Sequence, residues 1–254
     1  MNSSEPPLPW LMPGDDFPAT ADAWGSDTPA PGLLAAGGAL DVATLKRAYS
    51  AGIFPWFGQN EPILWWSTDP RMVLQTHRFK LHASLRKTLR RFRLDAQCEI
   101  RMDSAFHQVI QACSASERTG QSGTWIVPEM VLAYQALHKA GFAHSVETWI
   151  GGELVGGLYA VSMGKAVFGE SMFARITDAS KIALAALVSF CRAHGVAMID
   201  CQQNTRHLAS LGAAEMPRAV FLKHVEQGLL QTAPEWKFQP QYWDELTATS
   251  HHSA

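Results

Sequence analysis

The chain has 254 residues, 47% hydrophobic and 17% charged, enough apolar material for one large or two small domains around a buried core. This composition excludes a disordered chain, and with no run of about 18 apolar residues and no basic leader it predicts neither a membrane span nor a secretory signal. A net charge of −2 argues against a globally basic nucleic-acid binder. Arg78, Lys80, Arg86, Lys87, Arg90, Arg91 and Arg93 nevertheless put seven of the 21 basic residues into one acid-free stretch. A cytoplasmic monomer without membrane attachment is the expectation.

Residues 1–32 are rich in Pro, Gly, Ser and Asp with little periodicity, and read as a loosely ordered lead-in. Asp41 is a suitable N-cap for a short helix over Val42–Ser50, stopped by Gly52. Aromatic density then rises through Phe54, Trp56, Phe57, Trp65 and Trp66, with short strands at Ile63–Ser67 and Met72–Leu74. A small N-terminal domain is expected over residues 1–75 and a larger second domain over 76–254.

In the second domain, Ser84 is a candidate cap for a helix to about Arg93, followed by a strand at Cys98–Met102. Ser104 is placed to cap a helix with Phe106, Val109, Ile110 and Cys113 on one face, and Pro128 opens another that Gly141 closes. Ala143–Ile150 and Glu153–Met163 read as strands joined by a Gly151-Gly152 hairpin, with a third strand reaching Phe168. Asp178 starts an apolar helix ended by Gly195, and Ala197–Cys201 reads as a buried strand before a helical turn at His207–Leu211. Meander, helix and further strand is the order of GNAT-type acyltransferases. The expected fold class is α+β, with a GNAT-like domain holding a mixed, mainly antiparallel sheet flanked by helices.

Along an unbroken strand, side chains two apart share a face, so Asp200 and Gln202 are expected to point the same way. An acid beside an amide suits an incoming amine, although a strand-end Asp that satisfies backbone amides has the same signature. Glu170, flanked by Gly169, is either a site carboxylate or a strand-end residue facing water. Trp56, Trp65, Trp66 and Trp125 are either core or stacking faces for a single-stranded RNA end near the basic segment. His138, His144, His194 and His207 have no nucleophile at a recognised spacing and read as structural. Cys98, Cys113, Cys191 and Cys201 form no CxxC pair, and there is no HExxH or Walker motif, so no metal and no cofactor are expected.

Several longer strings stand out: Gly52-Ile53-Phe54-Pro55-Trp56-Phe57, Ile63-Leu64-Trp65-Trp66-Ser67, Asp69-Pro70-Arg71 and Gly123-Thr124-Trp125-Ile126. They continue with His144-Ser145-Val146-Glu147, Leu154-Val155-Gly156-Gly157, Gly169-Glu170-Ser171-Met172-Phe173, Ala179-Ser180-Lys181, Ile199-Asp200-Cys201-Gln202 and Ala209-Ser210-Leu211-Gly212-Ala213. In this order, from about Gly32 to Leu222, the chain resembles the bacterial leucyl/phenylalanyl-tRNA protein transferases. The resemblance implies transfer of Leu or Phe, less readily Met, from aminoacyl-tRNA to proteins beginning with Arg or Lys, which marks them for N-end rule degradation.

By the same resemblance Asp200 and Gln202 are the catalytic residues, Glu170 lies in the acceptor site, and Trp56 and Trp125 contact the aminoacyl-adenosine. Leu158, Val167, Met172, Leu184, Leu187 and Ile199 would line the side-chain pocket, and Arg86, Lys87, Arg90, Arg91 and Arg93 would receive the tRNA. Some members carry Phe-Cys where Val167-Phe168 stands here, and Asn at the position of Thr205. Because the donor ester is already activated, alignment of the amine and removal of a proton are the main tasks, with Asp200 acting through Gln202. Two other readings stay open. An acetyl-CoA-dependent GNAT enzyme would need a glycine-rich pyrophosphate loop that 169–179 lacks, and a non-catalytic RNA-binding module would leave Asp200 and Gln202 without a purpose.

Overall fold

A computed structural model describes residues 7–116 and 126–246. Strand β1 (Trp10–Leu11) pairs parallel with β2 (Leu33–Gly37), and helix α1 (Val42–Ser50) follows. The Asp41 carboxylate caps α1 by accepting from Thr44 N at 2.8 Å, while Leu45, Ala48 and Tyr49 form its buried stripe. Strands β3 (Phe54–Pro55) and β4 (Leu64–Trp66) complete a four-stranded sheet in the order β1-β2-β4-β3.

The chain then crosses into β5 (Arg71–Gln75), α2 (Ala83–Leu94), β6 (Cys98–Met102), α3 (Phe106–Ser114) and α4 (Pro128–Lys139). The meander β7 (Ala143–Ile150), β8 (Glu153–Met163) and β9 (Ala166–Ala174) leads into α5 (Ala179–Ala193) and β10 (Met198–Gln202). The short α6 (Arg206–Ser210), β11 (Ala214–Met216) and α7 (Arg218–Leu229) follow, and a 3-10 segment, Pro240–Leu246, packs on α5. The larger sheet runs β11-β5-β10-β9-β8-β7-β6, with β9 and β10 parallel and every other neighbouring pair antiparallel. The fold is therefore α+β, with a small N-terminal sheet and a mixed, mainly antiparallel sheet flanked by helices.

Side-chain alternation on this sheet builds two cores. Val73, Tyr159, Val161, Phe168 and Phe173 face α1, α3, α4, α7 and the small sheet, while Met72, Leu74, Leu158, Val167 and Ile199 face α2 and α5. Helix α5 is apolar almost all round, as a helix between sheet and C-terminal segment must be. It lies so close to β8 that a Cβ on Gly156 would stand 2.5 Å from the Ala179 Cβ.

Tertiary contacts override several local expectations. Ser84 lies inside the first turn of α2, which starts after His82 without a side-chain cap. Ser104 is not the cap of α3: its hydroxyl is turned to Glu147, whose carboxylate also accepts from Ala105 N at 2.7 Å. Strand β9 runs past Phe168 to Ala174, and β5, grouped by the sequence with the first domain, is paired on both sides in the large sheet. Pairing partners more than a hundred residues away decide this placement, and local hydrophobicity does not encode them. The lead-in residues that are described are tied down too, since Phe17 packs edge-on against Trp65 at 4.8 Å.

Candidate active site

Strands β9 and β10 pair only at Val167–Ile199 and Phe168–Asp200. Beyond these pairs each strand carries a one-residue bulge. On β9 the register moves from Gly169 opposite Ala160 to Ser171 opposite Tyr159, which leaves Glu170 as the extra residue. On β10 it moves from Asp200 opposite Val73 to Gln202 opposite Met72, with Cys201 as the extra residue and Gln202 at φ +54°. A bulge bends its strand and redirects the side chains around it, so two bulges on neighbouring strands pry the sheet open.

The opening is a cavity of about 490 Å³. Leu158, Met172, Leu184, Leu187 and Ile199 form its apolar wall, Phe54, Pro55 and Trp56 approach from the small sheet, and Thr205, His207 and Leu208 close the α6 side. Glu170 and Gln202 supply polar groups at the bulges. Size, apolar lining and a few convergent polar groups are the attributes of a small-ligand site. Trp56 is half-buried and held in place: its carbonyl accepts from Trp66 Nε1 at 2.6 Å, and the two rings meet edge-on at 5.3 Å. Trp65 and Trp66 belong to the core.

Of the residues expected here, Val167 does not line the cavity; it is buried in the second core, directly opposite Ile199 in register and on the same face of the sheet. Trp125 lies outside the described residues. Asp200 is 1% exposed and sits behind the cavity wall. Arg71 holds both its oxygens, Nε to Oδ1 at 2.8 Å and Nη2 to Oδ2 at 2.6 Å, and Oδ1 also accepts from Gln202 N at 3.0 Å. Arg71 in turn donates to Gly52 O at 3.1 Å and lies between the rings of Phe54 and Phe221. Asp200 thus serves as the counter-ion of a buried guanidinium and as the clamp of the bulge at Gln202.

Glu170 keeps part of its surface open to the cavity. Gln202 Nε2 donates to its Oε1 at 3.2 Å and Tyr134 OH to its Oε2 at 3.2 Å. Burial pushes its carboxyl up to about 8, and the charge of Asp200 adds to this, while Tyr49, Tyr134 and Arg71 pull the other way. A carboxyl poised there can exchange a proton with an ammonium group near neutral pH. Burial pushes the neighbouring Cys201 thiol far up, which disqualifies it as a ready thiolate nucleophile.

Helix α2 buries Leu85, Leu89 and Phe92 and exposes Arg86, Lys87, Arg90, Arg91 and Arg93. Arg93 pairs at the surface with Asp244 at 3.2 Å. A ring nitrogen of His82, at the start of α2, bonds Ser210 O at 2.7 Å, which joins the basic helix to the α6 rim of the cavity. Among the described residues no three His, Cys, Asp or Glu side chains gather as a metal ion would require. No helix among them is long and apolar enough to cross a membrane.

Residues 73–226 match the family model "Leucyl/phenylalanyl-tRNA protein transferase", and residues 38–69 match the N-terminal domain of the same family. The chain belongs to this family. Its relatives include the leucyl/phenylalanyl-tRNA protein transferase of Polaromonas sp., 65% identical over 94% of each chain, and that of Albidiferax ferrireducens, 63% identical over 97% of each. A third, from Leptothrix cholodnii, is 59% identical over 94% of this chain and 95% of its own. The protein is accordingly an aminoacyltransferase.

Four residues at or behind the cavity escape the sequence reading. Arg71 lies in one of the distinctive strings, but nothing local links it to a carboxylate 129 positions away. Tyr49 and Tyr134 are core residues of α1 and α4 whose hydroxyls reach Glu170's surroundings. His207, expected to be structural, lines the cavity, whereas His138, His144 and His194 are engaged with Ala143 O, Asp103 and Tyr242 respectively.

Proposed function

We propose that this aminoacyltransferase moves Leu or Phe, and less readily Met, from aminoacyl-tRNA onto the α-amine of proteins that begin with Arg or Lys, in the cytoplasm and as a monomer, marking them for the N-end rule pathway. The observation that carries this reading is the apolar cavity between the two bulges, with Glu170 and Gln202 at one side and Trp56 beside it. The donor side chain fills the apolar wall formed by Leu158, Met172, Leu184, Leu187 and Ile199. A wall of this kind discriminates by only about 1–3 kcal/mol per methylene, so it accepts Leu, Phe and Met while rejecting β-branched side chains by shape. Trp56 offers a flat face for the terminal adenosine, with Trp125 as its partner, and Arg86, Lys87, Arg90, Arg91 and Arg93 meet the tRNA phosphates.

In this reading the proton acceptor is Glu170. Asp200 has both oxygens committed to Arg71 and is a positioning residue for Gln202. The acceptor's α-ammonium approaches Glu170 and the amide oxygen of Gln202, and gives one proton to Glu170. The freed nitrogen attacks the ester carbonyl carbon, and the tetrahedral intermediate collapses with cleavage of the bond to the ribose oxygen. That oxygen leaves with the second proton, and the amide keeps the third. Positioning of amine and ester supplies most of the acceleration, and no covalent enzyme intermediate is needed. In its ionised form Glu170 also draws the cationic first residue of the acceptor.

The acetyl-CoA alternative is disfavoured at the start of α5, where a pyrophosphate would need free helix N–H groups. There the Asp178 carboxylate, bonded to Lys181 Nζ at 2.8 Å and Thr88 Oγ1 at 3.2 Å, would repel it. The test offers the protein labelled Phe-tRNA or labelled acetyl-CoA with a peptide beginning with Arg. Label moving from Phe-tRNA alone supports the reading; transfer of the acetyl label, or of neither, sinks it.

A further inference from the structure

Helices α1 and α4 each send one tyrosine to the same point behind the cavity. Tyr49 and Tyr134 are both 0% exposed, and their hydroxyls are hydrogen-bonded to each other. Tyr134 OH donates onward to Glu170 Oε2 at 3.2 Å. The rings are fixed from several sides: Tyr49 meets Phe168 edge-on at 5.0 Å, and Tyr134 meets Tyr159 edge-on at 5.4 Å. Burying two hydroxyls costs free energy that two phenylalanines of the same shape would not, unless the hydroxyls are bonded to a demanding acceptor. The acceptor here is a carboxylate in an apolar wall, and a hydrogen bond to an ionised acceptor is about twice as strong as one to a neutral group.

We infer that Tyr49 and Tyr134 act together as positioning residues for the transfer step, fixing the Glu170 carboxylate at the cavity wall and stabilising its ionised form through their linked hydroxyls. The inference rests on the reading of Glu170 as the proton acceptor and adds what makes that role workable. Without the hydroxyls, burial and the nearby charge of Asp200 would hold the carboxyl still further toward its protonated form, and a protonated Glu170 cannot relieve the incoming ammonium of its proton. Gln202 Nε2 holds the other oxygen. The titratable and charged groups around Glu170 are Tyr49 of α1, Tyr134 of α4, Tyr159 of β8, Arg71 of β5, and Asp200 and Cys201 of β10, with His207 of α6 lining the same cavity. Of these, the tyrosine pair and Arg71 favour the carboxylate, and Arg71 is spent on Asp200.

The experiment is the pH profile of kcat at saturating donor and acceptor for the full-length wild type, Tyr134→Phe, Tyr49→Phe and Glu170→Gln. Initial rates are taken before the ester hydrolyses, against one acceptor so that the acceptor's own amine contributes equally throughout. Tyr134→Phe should move the rising limb to higher pH by about one unit, lower kcat about tenfold at neutral pH, restore it toward wild type at alkaline pH, and leave the donor KM within about twofold. Tyr49→Phe should move the limb in the same direction. Both keep their rings and should melt as cooperatively as wild type. A limb that stays in place in both tyrosine variants overturns the inference. Glu170→Gln separates the two ideas: if it abolishes the limb while the tyrosine variants leave it unmoved, only the tyrosine pair is refuted, and if it retains the limb, the role of Glu170 as proton acceptor fails as well.

Discussion

Arg71 grips Asp200 through two parallel hydrogen bonds of 2.8 and 2.6 Å, with neither side chain more than 1% exposed. Breaking one side of such a pair strands a buried charge and costs about 3–5 kcal/mol, whereas replacing both by apolar residues is often close to neutral. Asp200→Ala should therefore lower the urea midpoint strongly, and Arg71→Met with Asp200→Leu should recover most of that loss without restoring transfer. An Asp200→Ala protein that unfolds at the wild-type midpoint would remove Asp200 from its structural role.

Glu170 couples folding to pH with a definite sign. Its carboxyl lies at about 8 in the folded protein against 4.5 in the unfolded chain, so between these values the folded state binds the extra proton. Stability then falls as pH rises through this window, by up to a few kcal/mol. The gap in melting temperature between Glu170→Gln and wild type should widen in favour of the variant from mildly acidic to mildly alkaline buffer. A gap independent of pH would contradict the raised proton affinity.

Donor choice should follow the volume of the apolar wall. Met172 is half-buried in it, and Leu184 faces it from α5. Met172→Ala enlarges the space and should raise kcat/KM for Phe relative to Leu by about tenfold, and Leu184→Phe should move the ratio in the opposite direction. Competition between the two charged tRNAs measures this ratio, and parallel changes in both would place the donor side chain elsewhere.

Reversing Arg90 and Arg91 to Glu should weaken tRNA binding and reduce the slope of log affinity against log salt by up to about 2. Both side chains are exposed, so the melting temperature should hold. Titrations at several salt concentrations decide the matter, and an unchanged slope returns these residues to a solvated helix face.

Gly156 has no room for a side chain, because a Cβ would meet the Ala179 Cβ at 2.5 Å and the Ala179 carbonyl carbon at 2.8 Å. Gly156→Ala should push α5 from β8 and cost about 1–3 kcal/mol. Since α5 carries Leu184 and Leu187 into the cavity, the donor KM should rise with the loss of stability. Wild-type melting and KM together would show that the helix yields without cost.

Features encoded within a few residues were legible in the chain itself. The Asp41 cap of α1, the strand Cys98–Met102, the start of α4 at Pro128 and the Gly151-Gly152 hairpin all appear where capping, periodicity and turn chemistry place them. Strands of two or three residues such as β1, β3 and β11 carry too little pattern to be read, and α7 has only a weakly segregated apolar face. Most of the cavity's apolar wall and its two polar groups were named in advance through the distinctive strings. Val167 shares the sheet face of that wall but is covered by its neighbours, 2% exposed, and alternation along β9 does not encode this.

The sequence by itself determined the fold class and the family, because these reside in local patterns and contiguous strings. Only the tertiary structure decided how Glu170, Asp200 and Gln202 are arranged around the cavity. Strict alternation puts Asp200 and Gln202 side by side at a substrate, but a bulge between them leaves Gln202 in the wall and Asp200 behind it with Arg71. Tyr49 and Tyr134 are 85 positions apart and become neighbours only when α1 and α4 close on the same side of the sheet. A bulge depends on the register between strands, and a buried charge depends on what the rest of the chain packs around it. Neither quantity belongs to any short stretch of sequence.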